Sequence, residues 1–431
     1  MRLAQQFDRI QESPRDTLGD TLGPTVSDVQ VIPASLRELK VAIVHYWFLS
    51  GLGGERVTRL LAQMFPHADI FTLLANDEAM PADLKTHRII TSYLQHLPGA
   101  QRLHRHLMPL YPSALEQFDL GGYDLVISAE SGPSKGVITG PSTCHICFCH
   151  TPPRYVWDMY HQYRDEPGLG MFQRFVFSVG AHYFRMWDLA AAQRVDHYVA
   201  ISSYVAGRIR KYYQRDSTVI YPPLNVGGYI SETTEDYYLV VSRLVGYKRV
   251  DLAIEACNRL GRRLRVVGEG EQYSYLKRKA GRTVEFLGFL PSEQLRNEFA
   301  HCRALLFPGE EDLGATPVEA HSFGRPVIAY GRGGALETVV GYHGDEGQGP
   351  EISTGMFFSE QTADSLADTI VRFEAVEKKF SPKFIRSSVL RFDFPRFKNQ
   401  MYDFIEQCLE EHRGRGGPNE DRKSVRQFAV D

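Results

Sequence analysis

Ala304-Leu-Leu-Phe307-Pro308-Gly-Glu-Glu311-Asp-Leu313-Gly314-Ala315-Thr316-Pro317-Val-Glu319-Ala-His-Ser-Phe-Gly324-Arg-Pro326 reads as one strand, one loop and one helix. The short apolar run Ala304 to Phe307 suits a buried strand, and Pro308-Gly309 ends it. Thr316 is the expected N-cap, Pro317 suits the first helical position, Gly324 the C-terminal cap, and Pro326 lies just beyond. A strand that feeds directly into a helix is the building unit of a parallel sheet covered by helices.

The same alternation extends in both directions from Lys40 onward. Upstream, strands are expected at Val41 to Tyr46, Asp124 to Ser128, Cys144 to Cys149 and His197 to Ile201. A second series runs through Tyr237 to Val241, Leu264 to Val267, Val284 to Leu287, Ala304 to Phe307 and Val327 to Tyr330. Between the series, Tyr221-Pro-Pro-Leu-Asn-Val-Gly-Gly-Tyr229 and Ser231 to Asp236 lack periodicity and read as a linker. The expectation is an α/β chain of two doubly wound, Rossmann-like domains, 38–222 and 223–394. A C-terminal helix over 395–412 would pack back on the first domain. The polar ends, 1–37 and 413–431, are expected to be disordered.

Composition supports a globular reading and excludes others. The 431 residues are too many for one ordinary core, and 43% are hydrophobic. The formal charge of -3 provides no global field for nucleic acid. There is no run of about 18 apolar residues and the N-terminus is polar, so a cytoplasmic protein is expected. Cys144, Cys147 and Cys149 invite a metal reading, but the segment alternates like a strand and free cysteine packs as a small hydrophobe. No metal site is expected.

In open parallel sheets, ligands bind at the carboxyl ends of strands. Four loops of the second series have that position. Arg243 and Lys248 are two cations in the loop after Val241, suited to a diphosphate or simply solvated. Gly268-Glu-Gly270 lets backbone approach a ligand, although Tyr273 stands where a dinucleotide fingerprint needs glycine. Gly288 and Phe289 offer a seat for a nucleotide base or form an ordinary turn. In the opening stretch, the amides of Leu313, Gly314, Ala315 and Thr316 would face an anion at a helix start. Glu319 has a competing structural duty, because Thr316-x-x-Glu319 is a capping-box sequence. Glu311 has none, and a carboxylate there suits sugar hydroxyls.

Arg243-x4-Lys248, Glu311-x7-Glu319 and Gly331-x-Gly333-Gly334, in that order, resemble the family 4 retaining glycosyltransferases of GT-B fold. The resemblance spans about Lys40 to Phe394. It implies that Glu311 binds hydroxyls of the transferred sugar, Glu319 binds the ribose, and Arg243 and Lys248 neutralise the diphosphate. The donor would be a nucleotide diphosphate sugar, with GDP-mannose favoured, and no other cofactor is implied.

On the acceptor side, the resemblance places a glycine-rich loop at Gly53 and Gly54, which the residues alone allow to be a flexible turn. It also places His150, after the strand Cys144 to Cys149, close to the reacting sugar. Arg154 and Trp157 resemble the pattern of mannosyltransferases of surface polysaccharide assembly. Two departures stand out: Ile201 where relatives often have asparagine, and Leu313 where many have phenylalanine. The segment Gln101 to Tyr111 mixes bases with large apolar residues and suits either anionic lipid or a buried helix with a basic edge. The acceptor implied is a glycan or lipid-linked saccharide, with peripheral contact on the cytoplasmic face of the inner membrane. A non-hydrolysing sugar nucleotide epimerase and a non-catalytic nucleotide-sugar sensor are the competing readings.

Overall fold

The computed structural model describes residues 32–49, 54–78, 80–165, 169–344 and 349–415. Two all-parallel sheets organise it. The first has seven strands: β1 (Val41–Phe48), β2 (Asp69–Ala75), β3 (Ile89–Thr91), β4 (Leu125–Glu130), β5 (Cys144–Cys149), β6 (His197–Ala200) and β7 (Thr218–Val219). The second has six: β8 (Tyr238–Val241), β9 (Leu264–Val267), β10 (Val284–Gly288), β11 (Leu305–Phe307), β12 (Val327–Tyr330) and β13 (Gly355–Phe358).

The strand orders are β3-β2-β1-β4-β5-β6-β7 and β10-β9-β8-β11-β12-β13. In each sheet the chain winds outward in one direction, returns to the middle and winds the other way. The reversal lies between β1 and β4 in the first sheet and between β8 and β11 in the second. Loops leaving adjacent strands part there, in opposite directions, and leave a crevice at the carboxyl ends.

The fold is the doubly wound α/β pair expected, with strands the sequence reading passed over. Asp69–Ala75 is buried on both faces beyond Asp69 and lacks the alternation of a half-buried strand. Ile89–Thr91 and Thr218–Val219 are too short to leave a pattern, and Gly355–Phe358, also unexpected, opens on a glycine that weakens a strand signal.

The polar ends differ from expectation in part. Ala34–Arg37 forms one helical turn, with Leu36 buried in the first core, so residues 32–37 belong to the fold. The last helix is Phe394–Arg415, longer than 395–412 and including part of the expected tail. Its Phe397, Met401, Tyr402 and Ile405 lie in the first core, and the Tyr402 hydroxyl donates to the Met64 carbonyl at 3.0 Å. Val389 and Phe392 already belong to that core, and the Leu224 amide donates to the Phe392 carbonyl. The chain therefore crosses back before residue 394. Residues 1–31 and 416–431 lie outside the described residues.

Candidate functional site

The loops after β8 and β11 meet at the switch point of the second sheet. Residues 242–248 leave β8, close a short turn at Gly246–Lys248 and enter the helix Val250–Leu260. Residues 308–314 leave β11 and enter the helix Ala315–Ser322. Gly309 allows the close approach, since a Cβ there would stand 3.1 Å from the Lys248 Cα.

Lys248 and Glu311 form an ion pair between these loops. Burial alone would lower the Lys248 pKa, but the Glu311 carboxylate outweighs it and holds the ammonium above the ordinary lysine value. Arg243 is half-buried in the same loop and acts in the opposite sense on Lys248 as a second positive charge. The arrangement combines two cations with one carboxylate at a strand-end crevice. It can accept both the anionic and the hydroxyl groups of one ligand.

The Gly331-x-Gly333-Gly334 loop positions Glu311 from below. The Gly334 amide donates to the Glu311 carbonyl at 2.8 Å, and a Cβ on Gly334 would come within 2.3 Å of the Leu313 Cα. Any side chain there would displace the 311–313 loop.

Gly268 has a similar duty. A Cβ would lie 2.0 Å from the Ser242 carbonyl oxygen at a φ of 123°, so this glycine makes room for the neighbouring loop's backbone. Gly288 accepts from the Gly268 amide at 2.8 Å, and Phe289, beside it, is 37% exposed.

The start of the Ala315–Ser322 helix corrects the capping expectation. Gly314, at φ 83° in the left-handed region, is the N-cap, and no side chain caps the helix. Without a Cβ, glycine takes this conformation at little cost and starts the helix two residues earlier than a Thr316 cap would. Thr316 and Pro317 become the second and third helical residues, and Glu319 lies beyond the first turn. The Thr316/Glu319 capping box does not form.

In the first sheet, His150 follows β5 and lies against the start of the helix Gly54–Met64. A Cβ on Gly54 would stand 3.2 Å from the His150 ring and 3.1 Å from the Tyr46 hydroxyl. Burial lowers the His150 pKa to about 4, so the ring is neutral near pH 7. Its Nε2 is buried with no hydrogen-bond partner among the described residues. A neutral imidazole with an open nitrogen can accept from, or donate to, a ligand hydroxyl. Behind it, His45 Nδ1 bonds with the Ala129 carbonyl (2.9 Å) and Thr58 Oγ1 (3.1 Å). Gly53 lies outside the described residues.

Arg154 and Trp157 are both engaged. Arg154 pairs with Asp158 at 3.2 Å and approaches Asp312 at 3.8 Å. Trp157 donates its indole N–H to Asp188 at 2.8 Å and stacks on Tyr212 with centroids 4.7 Å apart. Leu313 is buried against the first core, so it seals the junction between the halves.

The sequence reading missed the residues that join the halves. Arg208 pairs with Asp312 and, at 3.1 Å, with Asp158. Ser202 Oγ donates to the Asp312 carbonyl at 2.5 Å, and Tyr204 OH donates to Glu310. Glu337 accepts from the amides of Ser203 (2.8 Å) and Tyr204 (3.0 Å) and from Tyr221 OH (3.0 Å). That carboxylate faces the positive end of the helix Ser203–Tyr213. The acids Glu310, Asp312 and Glu337 sit in loops already singled out or close to them. Their partners lie more than 100 residues away, and a single sequence carries no sign of the pairing.

At the opposite end of β5, Cys144, Asp196 and His412 place their ligand atoms within 4.8 Å of one another. Cys147 and Cys149 are buried in the core. Asp196 accepts from the His145 amide and His412 Nε2 bonds with the Pro141 carbonyl, so the group already has partners in the fold.

Two family models match in series: Glycosyltransferase Family 4 over residues 51–227, and Glycosyl transferases group 1 over residues 228–386. A glycogen synthase of Pseudomonas aeruginosa is 32% identical over 145 residues, 31% of this chain and 26% of that protein. An alpha-1,3/1,6-mannosyltransferase of Candida glabrata is 25% identical over 220 residues, 38% of this chain and 47% of that protein. The chain spans about half the length, or less, of the curated relatives it matches. An Anabaena protein solved with UDP-glucose has the same fold, with a TM-score of 0.59 and 17% identity over 86% of this chain and 100% of that one.

Proposed function

Built of a family 4 segment followed by a group 1 segment, the chain belongs to the GT-B glycosyltransferases, and from that premise we propose that it transfers a hexose from a nucleotide diphosphate sugar to a glycan or lipid-linked saccharide. The observation that carries this reading is the Lys248–Glu311 pair with Arg243 beside it at the switch point of the second sheet. The cations receive the diphosphate and the carboxylate receives sugar hydroxyls. Glu319 takes the ribose, and Gly288 and Phe289 lie toward the base. His150, neutral and open at Nε2, receives a hydroxyl of the reacting sugar from the other half.

The transfer proceeds with retention of anomeric configuration. Negative charge grows on the departing diphosphate, and fixed cations already in place stabilise it without reorganisation. The leaving phosphate takes the acceptor proton on the same face, so no carboxylate acts as nucleophile. The loops of the second half hold the donor and the first half holds the acceptor. This division is compatible with a boundary near residue 222.

GDP-mannose is the preferred donor, with the mannosyltransferase relative supporting the mannose. UDP-glucose is the second reading, favoured by the Anabaena structure solved with that ligand. The deciding experiment is mass spectrometry of the purified protein with a panel of nucleotide sugars, with and without saccharide acceptors, in a strong chelator. Acceptor-dependent product is expected, with NMR showing a retained anomeric centre. Turnover of donor without acceptor would instead identify an epimerase, binding without turnover a sensor, and rescue by magnesium a metal-dependent enzyme.

A further inference from the structure

The helix Met171–Gln193 buries a face that is apolar but for Asp188, and it exposes a second face that is apolar too. Phe177, Ala181, Phe184, Asp188, Ala191 and Ala192 point into the first half. On the opposite side stand Met171 (89% exposed), Phe172 (78%), Phe175 (65%) and Tyr183 (63%), together with Val176, Val179, Met186 and Leu189. At helical spacing this makes one solvent-facing stripe along a rod of about 35 Å. A helix apolar all round is normally enclosed, and an exposed apolar stripe of this length marks a contact surface.

Charge identifies the occupant. No acid occurs from Leu169 to Trp187, while Arg174 and His182 are exposed. The neighbouring segment Leu97 to Leu115 also has no acid. It exposes Leu103, Leu110, Arg102 and His106, and its Met108 packs against the core under the helix. Both stretches expose large apolar side chains and bases and include no acid. A second copy meeting them about a two-fold axis would set these bases against each other, whereas anionic headgroups would neutralise them. Among the described residues, no helix is long and apolar enough to cross a membrane. We infer that the exposed face of Met171–Gln193, with the adjoining 97–110 segment, seats the protein on an anionic lipid surface.

The buried face of the same helix reaches the acceptor side. Asp188 accepts from Trp157 Nε1 (2.8 Å), Lys135 (2.5 Å) and Tyr213 OH (2.9 Å), and Arg185 donates to the Val156 carbonyl at 2.8 Å. Docking this helix therefore holds the 154–157 segment close to the lipid surface. A lipid-linked acceptor would then need little displacement from the bilayer, a consequence that rests on the transfer reading above.

The test is co-sedimentation of the full chain with two kinds of vesicle, phosphatidylcholine alone and an equal mixture with phosphatidylglycerol. Binding to the mixed vesicles is expected, weakened by salt. The double variant Phe172→Ser/Phe175→Ser, checked for folding by circular dichroism, should bind at least about tenfold less well. Equal binding to both vesicles, or unchanged binding by the variant, would overturn the inference. So would absence of vesicle binding with a dimer that the same substitutions dissolve. Vesicle binding needs no donor, so its failure leaves the transfer reading standing.

Discussion

Lys248 and Glu311, from two different loops, form an ion pair where the second sheet reverses its winding. The pair joins a residue suited to phosphate with one suited to sugar hydroxyls, and it couples their roles. With Glu311 in place, part of the Lys248 charge is already neutralised before a ligand arrives.

Glu311→Ala should therefore bind free nucleoside diphosphate as tightly as the parent or more tightly, while sugar transfer falls. Lys248→Ala should lose both, with transfer down by about 100- to 1,000-fold. Calorimetry with the free nucleotide, beside initial rates, separates the two effects. Weaker nucleotide binding in Glu311→Ala would show that the carboxylate holds the diphosphate loop rather than the sugar.

Glu319 has no capping duty in this fold, since Gly314 caps its helix. Glu319→Ala should lower nucleotide affinity without the loss of helix start that removing a capping-box glutamate would cause. Thr316→Ala should leave stability within about 0.5 kcal/mol of the parent, in contrast to the loss of about 1 kcal/mol that removing a true cap causes. Urea unfolding of both variants checks this. A loss of 1 kcal/mol or so in Thr316→Ala would mean that a side-chain cap operates in solution.

Asp312 ties the second half to Arg208 and Arg154 of the first. Asp312→Ala leaves the largely buried Arg208 with fewer partners, and breaking such a pair costs roughly 3 kcal/mol. The variant should unfold at lower denaturant and expand in small-angle scattering as the halves separate. An unchanged scattering profile would limit Asp312 to a local role.

Stability should decline with acid well above the carboxylate range. His45, His145 and His321 are fully buried, and burial lowers their pKa values to about 3, 4 and 3 from 6.5. Between those limits the unfolded chain binds protons that the folded chain does not. The folded state is therefore penalised as the pH falls below about 6.5, by up to about 1.4 kcal/mol per pH unit for each histidine. Calorimetric melting between pH 7 and 5 should show the midpoint falling throughout. A flat profile over that range would mean these rings are not held neutral.

The alternating runs were enough to identify two parallel sheets, because a strand that leads straight into a helix has few other ways to bury both apolar faces. The same local order put Arg243, Lys248, Glu311 and the Gly331–Gly334 loop at strand carboxyl ends. Local sequence favours Thr316 as the helix cap, whereas the choice between the two caps depends on whether Gly314 turns left-handed, which it does at φ 83° and which glycine can do at little cost. The pairing of Lys248 with Glu311, of Arg208 with Asp312 and of Glu337 with the Ser203–Tyr213 helix exists only once the loops and halves are brought together. The exposed stripe on Met171–Gln193 has the same origin. Apolar residues in a sequence predict burial, and only packing shows which of two apolar faces the protein leaves for something else to cover.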